Sequence, residues 1–188
     1  MTKNIMIVGV GGQGTLLASR IIGKAVISEG YDVKISEVHG MSQRGGRVVT
    51  YVKFGEKVYS PIIDKGEADI ILAFEMLEGL RSLPFLKKGG KMIVNNQKMD
   101  PMPVICGNAK YPEDIDKKLA EKADLKIVEA LNLAEKAGNI KAVNVVLIGV
   151  MAKNTDIKYE VWTDVIKNTV PEKFLDANLK AFELGYNL

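Results

Sequence analysis

Cysteine, histidine and tryptophan each occur once in these 188 residues, and no long apolar run is present. The single cysteine, Cys106, excludes an internal disulfide, a four-cysteine zinc site and an iron–sulfur cluster held by this chain alone. Electrons in any redox reaction would therefore travel through another subunit, and Cys106 itself reads as an inert small apolar residue. No metal centre is expected. No stretch approaches the ~20 apolar residues needed to cross a bilayer, so no membrane partner is predicted. A basic leader with a cleavage site is also missing, because a strand-like segment starts at Asn4; a cytoplasmic chain is expected. The net charge of +3 is too small to suggest nucleic acid without clustering on one face.

What is present is ordinary in amount and ordered in pattern. Hydrophobic residues make up 47% and charged residues 26%, which predicts a globular chain, most simply a single domain over 1–188. Short Ile- and Val-rich segments at 5–10, 33–38, 70–74 and 91–94, with a fifth at 125–128, read as strands buried on both faces. A helix over 14–29 places Ala18, Ile21, Ile22, Ala25 and Val26 on one stripe. Alternation in "RVVTYVKFGEKVYSP" predicts a β-hairpin, 47–54 with 57–60, turning at Gly55-Glu56. Pro112 followed by acids suits the first turn of a helix. "KAVNVVLIGVMAK" is apolar nearly all round and reads as a buried helix, with Gly149 permitting close approach. Two amphipathic helices, about 158–168 and 171–184, close the chain. The fold class expected is α/β: a Rossmann-like open, mostly parallel sheet with a β-hairpin insertion and C-terminal helices.

The first strand runs into "GVGGQG", where Gly9, Gly11 and Gly14 satisfy G-x-G-x-x-G. A P-loop is excluded because Thr15-Leu16 stands where Lys-Ser/Thr is required. A dinucleotide site would use helix-terminal N–H groups for pyrophosphate and Glu37 for the ribose. It also needs a helical crossover after the second strand, where this chain has a loop and a hairpin. A stand-alone NAD(P)-binding reductase or regulatory module is thus the alternative function. A third use of the loop is close approach to a partner's cofactor or backbone. The glycines alone would serve a tight turn; Gln13 is a long polar residue that such a turn does not need.

After the second strand, "EVHGMSQRGGRV" gathers His39, Ser42, Gln43, Arg44, Gly45 and Arg47. Loops beyond the carboxyl ends of strands hold ligands in open α/β sheets, so the loops after strands one and two would lie side by side. Taken singly, His39 reads as a surface histidine and the arginines as solvated. Ser42 is in no nucleophile elbow. His39 is nonetheless the only side chain that titrates near neutrality when unperturbed, and it is a weak candidate for catalysis. Glu75 and Glu78 follow another strand end, which would let them approach a partner, but surface charge is the preferred reading. Lys87 and Lys88 in "PFLKKGGKM" read as solvated. Asn144 in the apolar helix is either buried with partners or aimed at an interface.

"GVGGQGTLLASRIIG", then "EVHGMSQRGGRVVTYVKFG", then "ADIILAFEMLEGLR" resemble the gamma domain of 2-oxoacid:ferredoxin oxidoreductases, most closely the small-subunit (beta) type that serves indolepyruvate. The resemblance spans essentially the whole chain. It implies oxidative decarboxylation of a 2-oxoacid on thiamine diphosphate, electron transfer through [4Fe-4S] clusters to ferredoxin, and transfer of the acyl group to coenzyme A. It implies too that a large partner subunit carries the thiamine and the clusters, and that this chain binds none of them alone. The lack of cluster cysteines agrees, as does the lack of a Gly-Asp-Gly before Asn95-Asn96. On this resemblance Gly11, Gly12, Gln13 and Gly14, with His39, Ser42, Gln43, Arg44, Gly45 and Arg47, face the partner's thiamine site or the coenzyme A entrance. Arg44 and Arg47 would meet phosphate, to which guanidinium is suited.

Overall fold

A computed structural model describes residues 2–40 and 46–188. Its elements in chain order are β1 (Lys3–Val10), α1 (Thr15–Ser28), β2 (Asp32–His39), β3 (Arg47–Gly55), β4 (Ala68–Ala73), α2 (Met76–Ser82), β5 (Leu86–Asn95), α3 (Met102–Ile105), α4 (Ile115–Ala120), β6 (Asp124–Val128), α5 (Ala130–Lys136), α6 (Val143–Ala152), α7 (Tyr159–Lys167) and α8 (Leu175–Tyr186). The six strands form one sheet in the order β2-β3-β1-β4-β5-β6. β1, β4, β5 and β6 run parallel, while β3 lies antiparallel between β1 and β2.

The alternation of β1 divides the core in two. Ile5 and Ile7 face a layer built from α1 and α5–α8, whereas Met6 and Val8 face the smaller layer of α2 and α4. All four side chains are fully or nearly fully buried, as expected of a central strand covered on both sides. The stripe expected on α1 is there: Ala18, Ile21, Ile22, Ala25 and Val26 are buried against the larger layer. Trp162 joins that layer from α7, fully buried and stacked on Phe182 with ring centroids 6.4 Å apart.

The helix read from "KAVNVVLIGVMAK" is α6, preceded by a 3-10 turn, and it packs against α8 at unusually short range. A Cβ at Gly149 would collide with the Phe182 carbonyl oxygen, and one at Gly185 with the Val146 carbonyl oxygen. Two glycines, one on each helix, let backbone touch backbone.

Four expectations need correction. The hairpin is β2 with β3, joined across residues 40–46, because β3 finds its alternating partners there; 57–60 form no strand. β2 and β6 are edge strands and are only partly covered, so neither is buried on both faces. Helix α4 starts at Ile115, with Asp114 in the left-handed region at φ 54° as its cap; Pro112 lies before the helix rather than in its first turn. Cys106 is exposed just after α3, where Met102 and Ile105 are exposed as well, so it is not a packed apolar residue.

Candidate functional site

β1, β2, β4, β5 and β6 share a direction, so Val10, His39, Ala73, Asn95 and Val128 end at one edge of the sheet, where β3 begins at Arg47. The glycine loop and the loop after β2 meet there. The Gly11 N–H donates to the Gly46 carbonyl at 2.8 Å, and the Gly40 N–H donates to the Arg47 carbonyl at 3.1 Å. The side-by-side placement expected from the topology rule is observed for the described part of these loops. Ser42, Gln43, Arg44 and Gly45 lie outside the described residues.

Gln13 fixes the loop. Its Oε1 accepts the Val10 N–H at 2.9 Å, while its Nε2 donates to the Phe74 carbonyl at 3.0 Å and to Gln97 Oε1 at 3.1 Å. One amide thereby ties the turn after β1 to the ends of β4 and β5. Gly9 must lack a Cβ for this to happen, because one would sit 2.7 Å from Gln13 Oε1. Asn95 extends the web: its Nδ2 donates to the Phe74 carbonyl and to Gln97 Oε1, and its Oδ1 accepts the Ala130 N–H. On the opposite side, buried Asn144 donates to the Gly14 carbonyl at 3.3 Å and accepts its neighbour's N–H at 2.9 Å. Of the two readings offered for Asn144, the buried and satisfied one holds. Gly12 and Gly14 have φ of 100° and 82°, a region that favours glycine. A Cβ at Gly12 would meet nothing within 4 Å, so the loop is open to solvent there.

Glu75 and Glu78, expected as surface charge, are buried almost completely. Glu75 caps α2, accepting the Glu78 N–H at 2.8 Å, and it also accepts from the Met99 N–H at 3.1 Å and from the Tyr111 hydroxyl in a short bond. Burial, then the bond to Glu75, pushes the Tyr111 hydroxyl well above the usual tyrosine range, so Tyr111 remains a donor. Glu78 lies between two guanidinium groups, Arg81 at 2.5 Å and Arg47 Nε at 3.0 Å. Burial pushes its carboxyl above the usual value, and Arg81 and Arg47 offset this only in part. The Arg47 contact to Oε2 is ionic and not aligned as a hydrogen bond. Glu75, Glu78, Arg81 and Arg47 border a cavity of about 50 Å3 together with Val10 and Met99. The spacing E-x-x-E directly after an apolar strand was the available signal, since it matches a cap with a third-position acid.

The remaining expected residues divide in two. Arg47 is half-exposed but already engaged, through Glu78 and through Ser82 Oγ at 3.4 Å, so it is not simply solvated. His39 is exposed, with Nδ1 3.2 Å from the Gly40 carbonyl oxygen, and touches none of the carboxylates above. Glu37, the acid a dinucleotide would need, accepts from Thr50 Oγ1 at 3.0 Å and from Thr15 Oγ1 at the start of α1 at 3.5 Å, although β3 separates its strand from β1. The geometry is a hydrogen-bonded polar frame around an open glycine turn, and among the described residues no nucleophile stands beside a base. Among the described residues no group of His, Cys, Asp and Glu is arranged to hold a metal.

The family model described as pyruvate ferredoxin/flavodoxin oxidoreductase matches residues 4–188. Indolepyruvate oxidoreductase subunit IorB of Thermococcus kodakarensis is 45% identical over 97% of this chain and 93% of its own. The subunit of the same name from Methanothermobacter thermautotrophicus is 37% identical over 99% and 97%. Among solved structures, the gamma subunit of a keto/oxoacid ferredoxin oxidoreductase from Geobacter sulfurreducens superposes with a TM-score of 0.74 at 25% identity, covering 98% of this chain and 96% of its own.

Proposed function

This chain belongs to the pyruvate ferredoxin/flavodoxin oxidoreductase family, and we propose that it is the small subunit of an indolepyruvate-type (arylpyruvate) 2-oxoacid:ferredoxin oxidoreductase. The near-full-length identity to subunits named for indolepyruvate carries this reading. The complex would convert an arylpyruvate to its acyl-coenzyme A, CO2 and reduced ferredoxin. In this reading the chain contributes one gamma-type domain over 1–188.

Thiamine diphosphate and [4Fe-4S] clusters do not fit the residues of this chain. Cys106 is a lone exposed thiol, and Asn95 is consumed by contacts to Phe74 and Ala130. Those groups belong to a large partner subunit. What this chain supplies is the carboxyl edge of its sheet as a docking frame. The open Gly12 position admits partner backbone, and the first turn of α1, which follows it closely, has no side-chain cap. Arg47, held by Glu78, keeps part of its guanidinium outward for a phosphate of coenzyme A or thiamine. Gln13 holds the loop in shape, and on the family resemblance His39, Ser42, Gln43, Arg44 and Gly45 are assigned to the same contact.

The test is an anaerobic affinity purification of the tagged chain from its native host. The eluate is assayed for iron, thiamine diphosphate and arylpyruvate-dependent reduction of a viologen dye. A co-eluting brown large subunit with that activity is the expected result. Recovery of the chain alone and colourless from expressing cells would overturn the reading, as would activity confined to 2-oxoacids without a ring.

A further inference from the structure

The amino-terminal edge of the sheet, a strand's length from the glycine loop, opens a cleft of about 670 Å3, a size usual for small-molecule sites. Its floor is apolar, made by Ile5 and Ile70 on the adjacent strands β1 and β4 together with Phe54 and Ile157. Tyr31 stands edge-on to Phe54, with ring centroids 5.6 Å apart, and remains 41% exposed. The floor therefore offers an aromatic face without being closed.

The rim carries charge of both signs, four lysines with three acids, and the sheet is interrupted there. Ala68 pairs with Leu86 and Ile70 with Lys91, so a two-residue step on β4 faces a five-residue step on β5, and the sequence Lys87-Lys88-Gly89-Gly90 bulges outward. The bulge depends on its glycines: Gly89 has φ 78°, and a Cβ at Gly90 would lie 2.9 Å from the Lys87 carbonyl oxygen. Lys87 pairs with Asp69 at 3.1 Å and Lys91 with Asp124 at 3.3 Å. Lys3 and Lys88, also lining the cleft, enter no ion pair among the described residues. Glu56 and Asp156 line it too, without cationic partners among the described residues. A bare anion gains little from such mixed charge. A ligand with a flat ring, hydroxyls and a terminal polyanion gains from every part of it.

We propose that this cleft binds a nucleoside di- or triphosphate. The base lies on the apolar floor beside Tyr31, Glu56 or Asp156 accepts the ribose hydroxyls, and Lys3 and Lys88 take the phosphates. The cleft is formed by this chain alone and lies at the edge opposite the frame assigned to the large subunit. The proposal therefore stands or falls separately from that assignment.

The test is calorimetric titration of the full-length chain with ADP and ATP, with pyrophosphate as a second probe. Saturable binding with one site per chain is expected, tighter than about 1 mM and at least about tenfold tighter for ADP than for pyrophosphate. A Lys3→Ala/Lys88→Ala double variant, shown to be folded by its unchanged melting temperature, should weaken ADP at least about tenfold. Lys180→Ala, an exposed change on α8, should leave affinity as it was. No saturable heat up to about 2 mM nucleotide, equal affinity for pyrophosphate, or undiminished binding by the double variant would each overturn the proposal.

Discussion

The α6–α8 contact and the carboxyl edge are both tightly specified, but by opposite means. Between α6 and α8 the specification is steric: Gly149 and Gly185 remove two side chains so that main-chain atoms meet, and the surroundings are Val146, Phe182 and other buried apolar groups. At the carboxyl edge it is directional: Gln13, Asn95 and Glu75 satisfy main-chain N–H and C=O groups where strands end. A packed apolar contact resists volume, because the interior is dense and backbone cannot move aside. A polar web resists loss of partners, because an orphaned buried group forfeits its hydration. The first arrangement makes a base and the second makes a frame whose shape survives while one side stays open.

The largest effect expected from breaking either one is at Gly185. Gly185→Ala puts a methyl group onto the Val146 carbonyl, and neither helix can yield by a rotamer change. We expect a loss of about 3 kcal/mol or more. At roughly 2–4 °C per kcal/mol for a chain of this size, thermal unfolding should shift by about 10 °C. Scanning calorimetry checks it. A drop under about 2 °C would mean the helices separate easily and the steric account is wrong.

Gln13→Ala tests the directional side and should cost less, about 1–3 kcal/mol, through the Val10 N–H left without its side-chain partner, while the Phe74 carbonyl keeps its bond from Asn95. Denaturant midpoints measure the loss. Amide exchange at Val10 should accelerate while that of Val146 does not. If Gln13→Ala proved costlier than Gly185→Ala, the contrast between the two regions would have to be reversed.

Much of this was legible in the sequence. The period-3.6 stripe of α1 and the apolar run of α6 identify themselves, since one face or all faces must be buried. The crowding of "GVGGQG" and "EVHGMSQRGGR" at strand ends pointed to the edge of the sheet where the described parts of the two loops meet. The pairing of β3 was not legible, because an alternating strand states which residues face inward but not which neighbour it joins. Glu75 and Glu78 were misjudged for a related reason. A carboxylate is assigned to the surface by default, and only the fold brings Tyr111, Met99, Arg47 and Arg81 to cover it. Lys87 and Lys88 lacked their setting until the bulge in β5 was seen.

The smallest expected effect is at Glu78 and concerns pH more than magnitude. Its folded carboxyl titrates above the ordinary glutamate value because burial outweighs Arg81 and Arg47. The folded state therefore binds this proton more tightly than the unfolded chain does. The resulting stabilisation is complete below the unfolded value, near 4.5, and is lost as pH rises through the higher folded value. Glu78→Gln removes that titration. It also gives up two ion pairs, but Arg47 and Arg81 are 41% and 43% exposed and regain water. The two losses offset, so at pH 7 the variant should lie within about 1 kcal/mol of the parent. Urea midpoints from pH 4 upward would show the difference: the parent loses stability just above pH 4.5 relative to the variant. Parallel curves would mean that Glu78 titrates alike in both states, and that the arginines fully compensate its burial.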